Sequence, residues 1–160
     1  MIPIHLLDAL VNRFESEFKE FQLKDPKSPE EYKKINIFSQ HLPIKSKGKA
    51  KDTSLYPYLI IRITDGGEDS SEETGKSQIL FIAGVYDESE DNQGFRDAIA
   101  LINKVYQSLI RDPMVNDMFE LDYPIRWTYQ DEDSEPYYFS GLETNWKVPK
   151  PIREDLEGLI

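Results

Sequence analysis

The stretch Val85–Arg111, VYDESEDNQGFRDAIALINKVYQSLIR, constrains the fold more than any other part of the chain. It reads as the end of a buried strand, an acidic polar loop and then an amphipathic helix. Phe95, Ala98, Ile99, Ile102, Val105, Tyr106 and Leu109 recur at steps of three and four, which places them on one helix face. Arg96, Asp97, Asn103, Lys104, Gln107 and Arg111 fall on the other. Asn92 is the expected N-cap, with Ser89 and Asp91 as rivals. The acids ahead of the helix suit its positive end, and Lys104 and Arg111 its negative end. Pro113 forbids continuation. A helix with such a face must cover something apolar, and the flanking strands are the candidates.

Those strands can be read from residue type and alternation. Ile35–Leu42 alternates, and Pro43 ends it or places it at a sheet edge. Tyr56–Thr64 is rich in β-branched and aromatic residues. Gln78–Tyr86 is apolar enough to lie centrally, paired antiparallel with Tyr56–Thr64 across a turn at Asp65-Gly66-Gly67 and an acidic hairpin loop. Glu120–Tyr129 and Tyr137–Val148 form a last hairpin, with Pro124 marking an edge or a bulge. In the last strand Tyr138, Ser140, Leu142, Thr144 and Trp146 alternate with Tyr137, Phe139, Gly141, Glu143 and Asn145. Met114–Phe119 is a short connection with room for one helical turn. An earlier helix, Ile4–Phe21, gathers Leu6, Leu7, Leu10, Val11, Phe14, Phe18 and Phe21 on one side. The expected order is α-β-β-β-α-β-β: an α+β single domain over residues 1–148, with a mainly antiparallel five-stranded sheet and two helices on one face. Residues 149–160 are expected to be a C-terminal tail or a short amphipathic stub that docks on a neighbour.

Composition narrows the function. The chain has 160 residues and no cysteine, which removes disulfides and thiolate metal sites and fits a reducing compartment. Two histidines, His5 and His41, leave little for a histidine metal centre or a Ser-His-Asp triad. No apolar run approaches a membrane span, and no basic-then-apolar leader opens the sequence, so a soluble, cytoplasmic protein is expected. Residues 1–54 carry a net charge of +2 and residues 55–160 a net of −13, within an overall −11. Such acidity argues against a sequence-reading DNA module, though not against a surface that DNA slides past.

The clusters that invite chemistry do not fit it. Glu68, Asp69, Glu72 and Glu73 sit in a Gly/Ser-rich loop, and Asp87, Glu88, Glu90 and Asp91 precede the helix, without the ligand offsets of a calcium loop. Thr74–Ser77 spells TGKS, but the first glycine of a phosphate loop is missing and a strand follows instead of a helix. Lys45, Lys47, Lys49 and Lys51 alternate in a run with no aromatic interleaving, which reads first as a solvated loop. Tyr123, Trp127, Tyr129, Tyr137, Tyr138, Phe139 and Trp146 crowd the last hairpin. They suit cross-strand packing together with a subunit interface on the sheet's second face. The expectation is a protein that is not an enzyme, with no catalytic, cofactor-binding or metal residues.

Five segments in order, INIFSQHLP at Ile35–Pro43, YPYLIIRI at Tyr56–Ile63, GVYDE…QGFRDAIALINKVYQSL at Gly84–Leu109, FELDYPIRW at Phe119–Trp127 and PYYFSGLETNWKVPKP at Pro136–Pro151, give the chain its resemblance. It resembles the tail terminator, or tail-completion, proteins of long-tailed bacteriophages and prophages. The resemblance implies a virion-assembly subunit that forms a ring, usually a hexamer, on the head-proximal end of the tail tube. It implies partners in the major tail tube protein and the head connector or neck protein, with DNA passing through the hole unread, and residence in host cytoplasm and then in the virion tail. Assembly residues can be assigned only by position: Lys45, Lys47, Lys49, Lys51, Glu68, Asp69, Glu72, Glu73, Tyr137 and Phe139. A small cytoplasmic module that binds a protein partner through its acidic loops is the alternative.

Overall fold

A computed structural model of the chain describes residues 3–26, 31–43, 53–89, 91–130 and 133–150. The architecture is α+β, as expected. Helix α1 (Ile4–Glu17) is followed by β1 (Gln22–Lys24), β2 (Tyr32–Lys34), β3 (Asn36–Ser39), β4 (Tyr58–Gly67) and β5 (Gly75–Tyr86). Helix α2 (Gln93–Arg111), β6 (Met114–Val115), β7 (Phe119–Tyr129) and β8 (Tyr137–Val148) come next. The main sheet has the order β3-β4-β5-β8-β7-β6, and β1 and β2 form a separate pair.

Several expectations are corrected. Among the described residues the main sheet has six strands, not five, because Met114–Val115, read as part of a short connection with room for a helical turn, pairs with Phe119 and Glu120. β3 lies at an edge, as Pro43 suggested, but runs parallel to β4. Asp65, Gly66 and Gly67 do not turn the chain. They pair with Gln78, Ser77 and Lys76 after a bulge at Thr64, so the loop shrinks to Glu68–Thr74. Helix α1 stops at Glu17 instead of Phe21, with Phe18 closing its last turn through a bond from its N–H to Phe14 O. Phe18 and Phe21 then stack on each other at 5.7 Å.

The core forms where one face of the sheet meets both helices. Alternate residues of β5 (Ile79, Phe81, Ala83, Val85) and β8 (Tyr138, Leu142, Trp146, Val148) point into it, as the alternation of β8 predicts. Leu6, Leu10 and Phe14 arrive from α1, and Ala98, Leu101, Val105 and Leu109 from α2. Each fully buried Leu, Ile or Phe contributes roughly 1.5–3 kcal/mol. Phe14 meets Phe81 edge-on at 5.6 Å, which seats α1 against the central strand. One polar link joins the sheet to α2, and a second runs within the sheet from β8 to β5. Ser140 Oγ donates to Ala98 O at 2.7 Å, and Trp146 Nε1 donates to Thr144 Oγ1, which donates to Ile79 O.

The helices are also tied to each other. Arg13 donates to Ser108 Oγ and to the Asp112 carbonyl just past α2, and Ser108 and Arg111 donate to Glu17. A cation from α1 thereby satisfies the carbonyl of the residue that ends α2.

Strand β7 departs from regular pairing. Asp122 faces Asn145 and Arg126 faces Glu143, so Tyr123, Pro124 and Ile125 together stand opposite Thr144. This is the bulge that Pro124 announced.

Candidate functional site

The buried face of α2 is rotated from the face its periodicity suggested. Gly94, Asp97, Ala98, Leu101, Ile102, Val105, Ser108 and Leu109 are buried, whereas Phe95 and Tyr106 are exposed and Ile99 is half-buried. The apolar arc of α2 is too wide for the sheet beneath it. Its inner stripe covers β5 and β8, and its outer stripe is left beside β7, where Phe95 packs on Tyr129 at 4.8 Å but Tyr123 and Trp127 stay exposed.

Phe95, Ile99 and Tyr106 from α2 and Tyr123, Ile125 and Trp127 from β7 therefore line an open groove of about 630 Å³ floored by Leu142. Trp127 is 69% exposed and Tyr123 is 76% exposed, although both belong to the sheet face that carries the core. The bulge in β7 puts both Tyr123 and Ile125 on that face, where regular pairing would put a single residue opposite Thr144. Arg96 is the charged residue in the groove lining, and Asn103 joins it as a polar side chain. Chemically the groove can bury apolar side chains and meet an acidic group at one rim. A Trp or Tyr side chain at the centre of such a contact brings about 2 kcal/mol or more.

A second surface lies on the sheet face opposite α1 and α2. Tyr137 and Phe139 are neighbours there, across from Tyr86 and Gly84. The Tyr137 ring is 5.1 Å from Tyr86 and 5.5 Å from Tyr56, and Tyr56 stacks at 4.9 Å on Tyr58. Tyr58 lies directly over Gly84, where a Cβ would stand 2.3 Å from its ring. Burial pushes the Tyr58 and Tyr56 hydroxyls above the usual phenol range. A hydrogen bond to Glu88 pushes Tyr86 up to about 12.

The acids assigned by position lie elsewhere. Glu68, Asp69, Glu72 and Glu73 occupy the exposed β4–β5 loop, at the opposite end of β5 from Tyr137, roughly 35 Å away at the rise of a strand. Lys76 Nζ binds Asp69 at 2.7 Å, which holds the Asp69 carboxyl below its ordinary range. The structure thus does not gather the assigned residues into one site. Lys45, Lys47, Lys49 and Lys51 lie outside the described residues.

The acidic loop before α2 is organised around Lys24. Its ammonium stands 3.8 Å from Asp87 and 3.7 Å from Asp91. Asp87 is buried: Oδ1 accepts from Ser89, and among the described residues Oδ2 meets no hydrogen-bond donor and faces the lysine charge. Asn92 takes the N-cap position in the left-handed region, but Asp91 Oδ1 is the oxygen that accepts the Gln93 N–H. Asp97, expected on the solvent side, is buried, and desolvation raises its pKa although Gln93 donates to it at 2.8 Å. Among the described residues no group of three His, Cys, Asp or Glu is placed to hold a metal ion, and no helix is long and apolar enough to cross a membrane.

The groove was missed because Phe95, Ile99 and Tyr106 were placed on the buried face and Trp127 in cross-strand packing. The available signal was the width of the arc: Leu101 adds a second stripe beside Phe95, Ile99 and Tyr106, more than one sheet face can cover. Compared with protein-family models and with curated proteins, the chain matches none.

Proposed function

We propose that the chain is a structural assembly subunit of the tail-terminator kind, capping the head-proximal end of a phage tail tube as a ring and joining it to the head. The observation that carries this reading is the α2–β7 groove with its exposed Trp127 and Tyr123. Soluble monomers seldom leave a contiguous apolar surface of this kind without a partner. A ring built head-to-tail needs two different patches on each subunit. The groove and the aromatic cluster opposite α1 and α2 are two such patches, on opposite faces of the sheet. The ordered resemblance of the five segments supplies the rest of the reading, including the tube and neck partners.

The test is to polymerise the major tail tube protein with and without this chain and to measure tube lengths by electron microscopy. A terminator gives tubes of bounded length with extra density at one end. Unchanged lengths and bare ends would overturn the reading and favour the protein-binding module with acidic loops.

A further inference from the structure

The segment that follows β8, residues 151–160, has the sequence PIREDLEGLI. Its apolar residues fall at Ile152, Leu156, Leu159 and Ile160, the i, i+4, i+7, i+8 spacing of one helix face. The remaining side chains are mostly acidic, with Glu154, Asp155 and Glu157 against Arg153. An amphipathic segment of this kind is what a hydrophobic groove accepts.

We propose that residues 152–160 of one copy dock in the α2–β7 groove of a second copy, with Leu156 and Leu159 against Trp127 and the acids toward Arg96. The inference rests on the reading of the chain as a self-assembling subunit and names the contact.

Charge selects the occupant. The whole chain carries −11, yet the groove lining bears one charged side chain, and it is a cation. Arg96 is exposed and makes no ion pair among the described residues. An acidic apolar segment complements that rim.

Geometry selects a second copy over the same one. Lys150 donates to the Ser70 carbonyl in the β4–β5 loop, and Pro149 lines a cleft with Pro3, Ile63 and Gly75. The chain therefore leaves β8 on the β5 side, whereas its own groove lies on the β7 side and back along the strand. Pro149 and Pro151 hold the residues before them extended, which disfavours the reversal that docking on its own groove would require.

Two full-length variants test this. Leu156→Asp with Leu159→Asp spoils the segment, and Arg96→Glu with Trp127→Ala spoils the groove. All four positions lie on the surface or beyond β8, and matching circular dichroism melts will show that both variants fold. In sedimentation velocity the unsubstituted chain is expected to associate with rising concentration, and each variant alone to remain monomeric. Their equimolar mixture should give a one-to-one complex, since one partner keeps a sound groove and the other a sound segment. Trp127→Ala alone should weaken association about thirtyfold, as loss of a central anchor does. Arg96→Glu alone should weaken it about fivefold, the size of an exposed ion pair.

A mixture that sediments as two monomers overturns the proposal, as does a segment variant that associates like the unsubstituted chain. If the segment variant still bounds tube length while the mixture gives no complex, the docking fails and the terminator reading stands. A one-to-one complex from a chain that leaves tube length unchanged does the reverse.

Discussion

The Tyr138 ring lies so close over Gly94 that a Cβ on the glycine would stand 2.4 Å from two of its ring carbons. The first turn of α2 is thereby set on β8, and Gly94 sits where alanine would be the better helix former. Alanine would gain about 1 kcal/mol in propensity and reduced unfolded-chain freedom. Overpacking a rigid ring with Asp87 Cβ 3.0 Å away on another side costs about 1–3 kcal/mol. Gly94→Ala is therefore expected to be destabilising on balance by about 1 kcal/mol, and urea unfolding will check the sign.

Thr144 is the relay between the Trp146 indole and the β5 backbone. Replacing it with valine keeps the shape and strands the indole N–H at a position where Trp146 is 1% exposed. A loss of about 2 kcal/mol is expected. Thr144→Ser, which keeps the hydroxyl, should recover most of it; both are read from chemical denaturation.

Asp97 gives a pH dependence with a definite sign. Its folded-state pKa lies above the unfolded value, so the folded form binds the proton more tightly. That contribution is fully present below the unfolded pKa and is lost as pH rises through the folded pKa. Asp97→Asn keeps an acceptor for Gln93 and removes the desolvated charge. It should raise stability by about 1 kcal/mol at neutral pH, with the advantage shrinking as acid protonates the native residue. Melts across that range decide it.

Arg13 joins the two helices through Ser108 and Asp112. Arg13→Ala removes several charge-assisted bonds at once and leaves Glu17 without its i−4 cation. About 2 kcal/mol should be lost. Arg13→Lys, a point charge without the planar fork, should restore less than half. Thermal unfolding provides the measurement.

Much of the fold was legible because it rests on period. The even-numbered residues of β8 are buried as their alternation predicted, and β5 is central as its apolar density predicted. Pro124 announced its bulge and Pro43 its edge. What failed is what short runs and long-range contacts decide. Gln22–Lys24, Tyr32–Lys34 and Met114–Val115 are too short to show any alternation, and no local pattern says that β3 runs parallel to β4. Asp65-Gly66-Gly67 has turn composition, yet the β5 ladder recruits it into a strand, since tertiary pairing outweighs local preference.

The candidate site was less legible. Trp127 and Trp146 carry the same residue type on neighbouring strands, and one is exposed while the other is sealed. The difference is that α2 reaches over β8 and meets β7 at Tyr129 while leaving Trp127 uncovered, a fact about where a helix sits across a sheet. Asp97 hides in the same way, buried by the rotation of a helix whose outer stripe faces solvent.

The bulge in β7 has one consequence for how this surface tolerates change. Between its flanking ladder partners β7 spends three residues where β8 spends one, an excess of two, so the odd positions on either side keep their facing. Loss of both Tyr123 and Pro124 would shorten the groove and leave Trp127 aimed as before. Loss of either one alone would swing the indole to the opposite side of the sheet. Length variation in this hairpin arm is thus confined to even steps wherever the indole must keep its aim.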